Sequence, residues 1–186
     1  MTAGTARPGL LRRVFATMGN PRVVMATYVE DVAWPVALTV PLLAFALFFL
    51  QSGIDLYRDG ALDGVEVAGL AFGGAVMGLV LVPLLALVAW VVSQIFDTKR
   101  SAGWAVRAFS LAYAPALVYG VCGLVMSLFF GWNTAVAFGI TGVLWAISPL
   151  FAALREMSGD RRRLSLVLAS LVGLIVLVVW SAAVGG

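Results

Sequence analysis

The chain reads as an all-α, polytopic integral membrane protein, with five transmembrane helices preceded by one or two short amphipathic interfacial helices. Three observations lead there. Of its 186 residues, 62% are hydrophobic and only 11% charged, giving a mean hydropathy of +1.05. Such a chain has too little polar surface to face water as a soluble domain. Ala108–Leu154 carries no charged residue. A hydrocarbon core about 30 Å thick is crossed by about 20 helical residues, so this run is long enough for two crossings. Finally, the basic residues cluster between the apolar runs in a way that places nearly all of them on one side. The runs do not alternate in and out, which argues against a β-barrel.

Taken in order, residues 1–32 form an N-terminal amphipathic segment and residues 33–184 the five-helix domain. Leu10, Leu11, Val14, Phe15 and Met18 lie at helical spacing, with Arg12 and Arg13 on another face. That pattern suits an interfacial helix with arginines near lipid phosphates. Asn20-Pro21 reads as a helix start, asparagine capping and proline in the first turn. From there Val24, Met25, Tyr28 and Val32 are expected to share a face. The first span, about 34–50, carries Pro41 inside it. An acidic loop, Gln51–Glu66, is expected next, with Asp55, Asp59, Asp63 and Glu66 in water and Arg58 as its sole base. Basic and apolar segments are too far apart, and no small-residue cleavage pattern follows, for a signal peptide.

The second span, about 67–96, is some ten residues longer than a crossing needs and must tilt, bend at Pro83 or extend past the hydrocarbon. Gly69, Gly73, Gly74 and Gly78 form two overlapping small-residue repeats at spacing four. These let helix backbones approach closely, within one chain or between chains. A short polar loop follows, where Asp97 beside Lys99 and Arg100 could form a local ion pair. The third span, about 105–130, contains Pro115. The proline cannot bond the carbonyl of Leu111, so Ser110 or a neighbouring helix must compensate. Gly131-Trp132-Asn133-Thr134 supplies turn chemistry, making Ala108–Leu154 a tight hairpin. The fourth span, about 134–154, holds Pro149. A compact basic loop with Arg161, Arg162 and Arg163 leads to the fifth span, about 164–183. Pro41, Pro83, Pro115 and Pro149 thus place one helix kink in each of the first four spans.

With five spans, Arg7, Arg12, Arg13, Arg22, Lys99, Arg100, Arg107, Arg155 and Arg161–Arg163 all fall on one side, and Arg58 alone on the other. The positive-inside rule makes the basic side cytoplasmic, with the N-terminus inside and the C-terminus outside the plasma (inner) membrane. The net charge of +3 follows from this topology and calls for no nucleic acid. The chain contains no histidine, the commonest general base and metal ligand. No span carries a charge near its middle, as proton relays and voltage sensors do. No GxSxG, HExxH or GxxxxGK motif occurs. Neither enzymatic activity nor a cofactor nor a metal is expected. The single Cys122 reads as a small packing residue.

Asn20-Pro21-Arg22-Val23, the acidic Glu30-Asp31 before the first span, and Phe109-Ser110-Leu111-Ala112-Tyr113-Ala114-Pro115 opening the third are the residues that carry a family likeness. With them, and with a tight third-to-fourth hairpin, a charged loop and a terminal fifth span, the chain resembles the Yip1-domain family, in its small bacterial-type form. The resemblance implies a cytoplasmic N-terminus, five helices and a short tail. Eukaryotic members are linked to membrane traffic, Rab-type GTPases and homo- or hetero-oligomers. The short N-terminal region departs from the long cytoplasmic segment of those members, which weakens the expectation of a GTPase partner.

Together these readings give a non-enzymatic membrane scaffold, adaptor or accessory subunit working through helix–helix and lipid contacts. Its partners would be membrane lipids, anionic headgroups among them, and a second copy or another membrane protein. Gly69, Gly73, Gly74 and Gly78 would form the packing or oligomer face. Arg12, Arg13 and Arg161–Arg163 would touch lipid or partner. The alternative is a small oligomeric channel or transporter built from the proline-kinked helices.

Overall fold

A computed structural model describes residues 10–95 and 100–185, apart from the side chains of Leu10, Leu11, Arg13 and Val184. Asp97, Lys99, Arg7 and the Arg13 side chain, named above, lie outside the described residues. Helices α1 (Leu10–Gly19) and α2 (Pro21–Thr27) precede the membrane domain. At their junction the Asn20 side chain accepts from the Val23 N–H at 3.3 Å, with Pro21 starting the helix. This is the cap that the Asn-Pro pair predicts. Val24, Met25 and Val32 are buried as expected, but Tyr28 is exposed and Val29 takes the inward position. The helix ends at Thr27, so the periodicity does not carry on to Tyr28.

The next helices are α3 (Trp34–Arg58), α4 (Gly64–Gln94), α5 (Ala102–Ala112), α6 (Ala114–Phe130), α7 (Ile140–Met157) and α8 (Arg162–Gly185). The five spans long and apolar enough to cross a bilayer are α3, α4, α5 with α6, α7 with the wide turn before it, and α8. α3 is the central element, packing against α4, α5 and α6, whereas α8 packs mainly on α7. α1 lies against α6 and α2 against α7, so both short helices are docked on the bundle. Val14, Thr17, Val24 and Met25 point inward, while Arg12 and Phe15 stay exposed.

Three features depart from the sequence reading. First, Gln51–Arg58 is not loop: α3 continues for two more turns, and the true connection runs from 59 to 63. Asp63 and Glu66 form a capping box on α4, the Asp63 carboxylate accepting from the Val65 and Glu66 N–H groups at 2.8 Å. Of the clustered acids, Asp63 and Glu66 cap α4, Asp55 bonds within the bundle and Asp59 stays exposed as expected. Second, Pro115 does more than bend the third span. α5 stops at Ala112, the Tyr113 N–H turns back to the Ser110 carbonyl at 3.3 Å, and α6 begins with Pro115 in its first turn. Lacking an N–H, proline is tolerated there at little cost. Third, Cys122 is exposed on α6 rather than packed in the core.

The hairpin turn stands where glycine and asparagine place it. Gly131 closes α6 in the left-handed region at φ 69°, its N–H bonding the Ser127 carbonyl at 3.0 Å. Beyond it Ala135–Gly139 is a widened π turn. The ring of Phe48 lies where a Cβ on Gly139 would stand, and it stacks on Trp180 with centroids 4.7 Å apart. Only a residue without a side chain admits that ring.

Candidate functional site

The candidate surfaces are two polar rims at the ends of the bundle and the apolar faces between them. At the rim that carries α1 and α2, Arg100 joins three segments: Nη1 lies 3.3 Å from Glu30 and Nη2 3.0 Å from Glu156. Its guanidinium sits 4.9 Å from the Trp104 ring centre, and its carbonyl accepts from the Trp90 indole at 3.0 Å. Arg107 donates to the Glu30 carbonyl at 2.9 Å and lies 4.6 Å from the Trp34 ring centre. Arg155 pairs with Asp160, its Nε donating at 2.7 Å. Arginine suits such places because its flat guanidinium donates and stacks at once. Arg161, Arg162 and Arg163 are exposed where α8 begins. A helix N-terminus disfavours positive charge, so the dipole of α8 does not stabilise these guanidinium groups, although the Arg161 carbonyl accepts from Ser165 in the first turn; their exposure suits contacts outside the bundle.

The opposite rim is built from the two extra turns of α3. Gln51, Asp55 and Arg58, at i, i+4 and i+7, share one face, and each holds a different part of the hairpin. Gln51 is fully buried; its Nε2 donates to the Gly120 carbonyl at 2.8 Å and the Leu47 carbonyl at 3.1 Å, and its Oε1 accepts from Thr134 at 3.2 Å. A Cβ on Gly123 would collide with that same Oε1. Asp55 accepts from the Ala135 N–H at 3.1 Å, at the start of the π turn. Arg58 donates to the Ser127 carbonyl at 2.7 Å, the Ser127 hydroxyl at 2.9 Å and the Trp132 carbonyl at 3.1 Å. The acid thus sits at the beginning of one hairpin helix and the base at the end of the other, each at the favourable pole of the helix dipole. Asp55 and Arg58 lie 3.8 Å apart. Among the described residues Arg58 is the one base at this rim, and the hairpin holds it, which gives it a structural role despite the charge bias against it.

Between the rims the four glycines of α4 divide. Gly74 and Gly78 face α3: a Cβ on Gly74 would stand 2.6 Å from the Phe49 Cβ and 2.7 Å from the Phe45 carbonyl, and one on Gly78 would strike the Pro41 carbonyl. Gly69 and Gly73 have nothing within 4 Å of the same position. They lie on an outward face with Val65, Phe72 and Val80, all well exposed. Of the four prolines, Pro41 sits at the α3–α4 crossing and Pro83 is inside α4. Pro115 and Pro149 are brought together, lining a groove of about 330 Å³ with Met18, Leu144, Trp145 and Ser148. A second cavity, among Ala44, Phe48, Gln51 and Gly139, measures about 10 Å³.

The Gln51–Arg58 rim is hard to see in the sequence because charged and amide residues at the end of an apolar run look like loop. The i, i+4, i+7 spacing of Gln51, Asp55 and Arg58 was the available signal. Nothing local foretold that Arg100 would meet Glu30 and Glu156, which lie 70 and 56 residues away.

The family model for the Yip1 domain matches residues 15–183, nearly the whole chain. No curated protein and no solved structure matches the chain. The match takes in all five spans, both rims and the hairpin: the chain is a multi-pass membrane protein that belongs to the Yip1 domain family.

Proposed function

We propose that this protein is a non-enzymatic scaffold, adaptor or accessory subunit of the plasma (inner) membrane, acting through helix–helix and lipid contacts. The observation that carries this reading is the contrast between α3 and the outer spans. The α3 span is 56% buried within the chain, those of α4 and α8 only 28% and 22%. Long apolar faces free of other helices are covered either by lipid or by another membrane protein. The open Gly69–Gly73 pair on α4 would let a second helix approach closely. The orientation proposed puts the rim with α1, α2 and Arg161–Arg163 in the cytoplasm, supported by the concentration of basic residues there.

Extraction at native expression in a gentle detergent, followed by native mass determination, tests the reading. A stoichiometric membrane partner or a defined homo-oligomer, dispersed by Gly73→Leu, is the expected result. A monomer that binds no membrane protein would overturn it. Cysteine labelling at 161–163 from either side of sealed vesicles checks the orientation.

A further inference from the structure

We infer that the groove between α1, α6 and α7 is a binding site for one anionic glycerophospholipid, its acyl chain against Trp145 and Pro115, its ester carbonyl on Ser148 and its phosphate near Arg12. The inference deepens the lipid-contact part of the proposed function and rests on it.

Size and position come first. At about 330 Å³ the groove is at the lower end of the range of about 300–1,000 Å³ typical of small-molecule sites. Its walls are apolar, and Leu144, Trp145 and Ser148 are all exposed along it. Ser148 is seven residues from Arg155, about 10 Å of helix rise inward from the basic rim. That is the headgroup–acyl boundary, where an interfacial helix such as α1 lies.

The polar chemistry narrows the occupant. Several hydroxyls in the spans close onto their own helix: Thr39 onto the Val36 carbonyl, Ser52 onto Phe48, Ser93 onto Trp90 and Thr141 onto Ala137, while the Ser110 hydroxyl is buried without a partner and away from the groove lining. Ser148 makes no such bond among the described residues, and its O–H remains a donor facing the groove. A glycerophospholipid at this depth presents ester carbonyls, which only accept. The charge complements it. Met18 lines the groove, and the exposed Arg12 stands six residues earlier on α1, about 9 Å along its axis. The exposed Arg22 follows in the first turn of α2. Arg12 leaves α1 on another face from Met18, yet both bases are exposed at the groove's end of the bundle, and positive charge there matches a phosphate above an acyl chain.

The test uses the full chain in a mild detergent, supplied separately with phosphatidylglycerol and phosphatidylethanolamine, and read by native mass spectrometry at rising collision energy. One phosphatidylglycerol per chain should be retained in preference to phosphatidylethanolamine. Arg12→Gln should weaken that retention about fivefold, as loss of one base near a membrane phosphate implies. Ser148→Ala should weaken it by a similar factor, that of one hydrogen bond, and Ser148→Phe should remove the resistant adduct. Tyr57→Phe, exposed at the opposite rim, should leave it unchanged. Equal retention of the two lipids, or an adduct that survives Ser148→Phe and Ser148→Ala, would overturn the site. So would a transmembrane partner that occupies the groove and is displaced by Ser148→Phe. Loss of the lipid site with partner binding intact would leave the scaffold reading standing, so the two failures are separable.

Discussion

Gly73 and Gly74 are neighbours on one helix, yet they meet different surroundings. Gly74, with Gly78 one turn on, is pressed against the α3 backbone, where a Cβ would collide with carbonyl oxygens of Phe45 and Pro41. Gly73, with Gly69 one turn back, opens outward with nothing within 4 Å of a Cβ. Both pairs satisfy the same small-residue spacing. The repeat encodes two helix faces about 100° apart, of which one is used within the chain and the other is left for the surroundings. Small residues in a membrane helix report that close approach is possible, and the partner is decided by the rest of the bundle.

The largest effect that would break this comparison is expected at Gly78. Gly78→Leu places a branched side chain against the Pro41 backbone, which cannot move aside as a side-chain end could. Destabilisation of about 1–3 kcal/mol or more is expected, seen as early thermal unfolding in detergent; an unchanged melting curve would show that α3 and α4 do not cross as described. Next comes the far rim. Arg58→Gln removes charged hydrogen bonds to Ser127 and Trp132 and leaves Asp55 without its neighbour, a loss of about 1.5–3 kcal/mol. A double-mutant cycle with Asp55→Asn should show coupling, because the two side chains hold the two ends of one hairpin.

Arg100→Gln is expected to cost less, about 0.2–1 kcal/mol, since Glu30 and part of the ion pair are solvent-exposed. The loss should shrink further at high salt, which the Gly78 effect should not. At the other end, Gly73→Ala should leave the isolated chain unharmed, or stabilise α4 by about 0.5–1 kcal/mol through its higher helix propensity. If Gly73→Ala instead weakened the monomer as Gly78→Leu does, the division of the glycine repeat into inner and outer pairs would fail.

The legibility of these features follows the range of the interactions behind them. The Asn20 cap, the Gly131 turn and the apolar spans depend on residues within a few positions of one another, and each was readable. The roles of Asp55 and Arg58 are not legible locally, because their partners Ser127, Trp132 and Ala135 are about 70 to 80 residues distant. The exposure of Cys122 is illegible for another reason: in a bilayer the outside of the bundle is as apolar as its inside, so hydrophobicity no longer tells which face is buried.

From the chain alone came the membrane class, the five spans, the clustering of bases on one side and the family likeness. Each rests on transfer of apolar length into hydrocarbon and on charge that cannot cross it, which are properties of segments. Tertiary structure decided which glycines pack inward, that α3 reaches two turns further to clasp the hairpin, and that Pro115, Pro149 and the interfacial helix meet around one groove. Those outcomes depend on shape and hydrogen bonding between segments distant in the chain, and packing alone selects among the faces that hydropathy leaves equivalent.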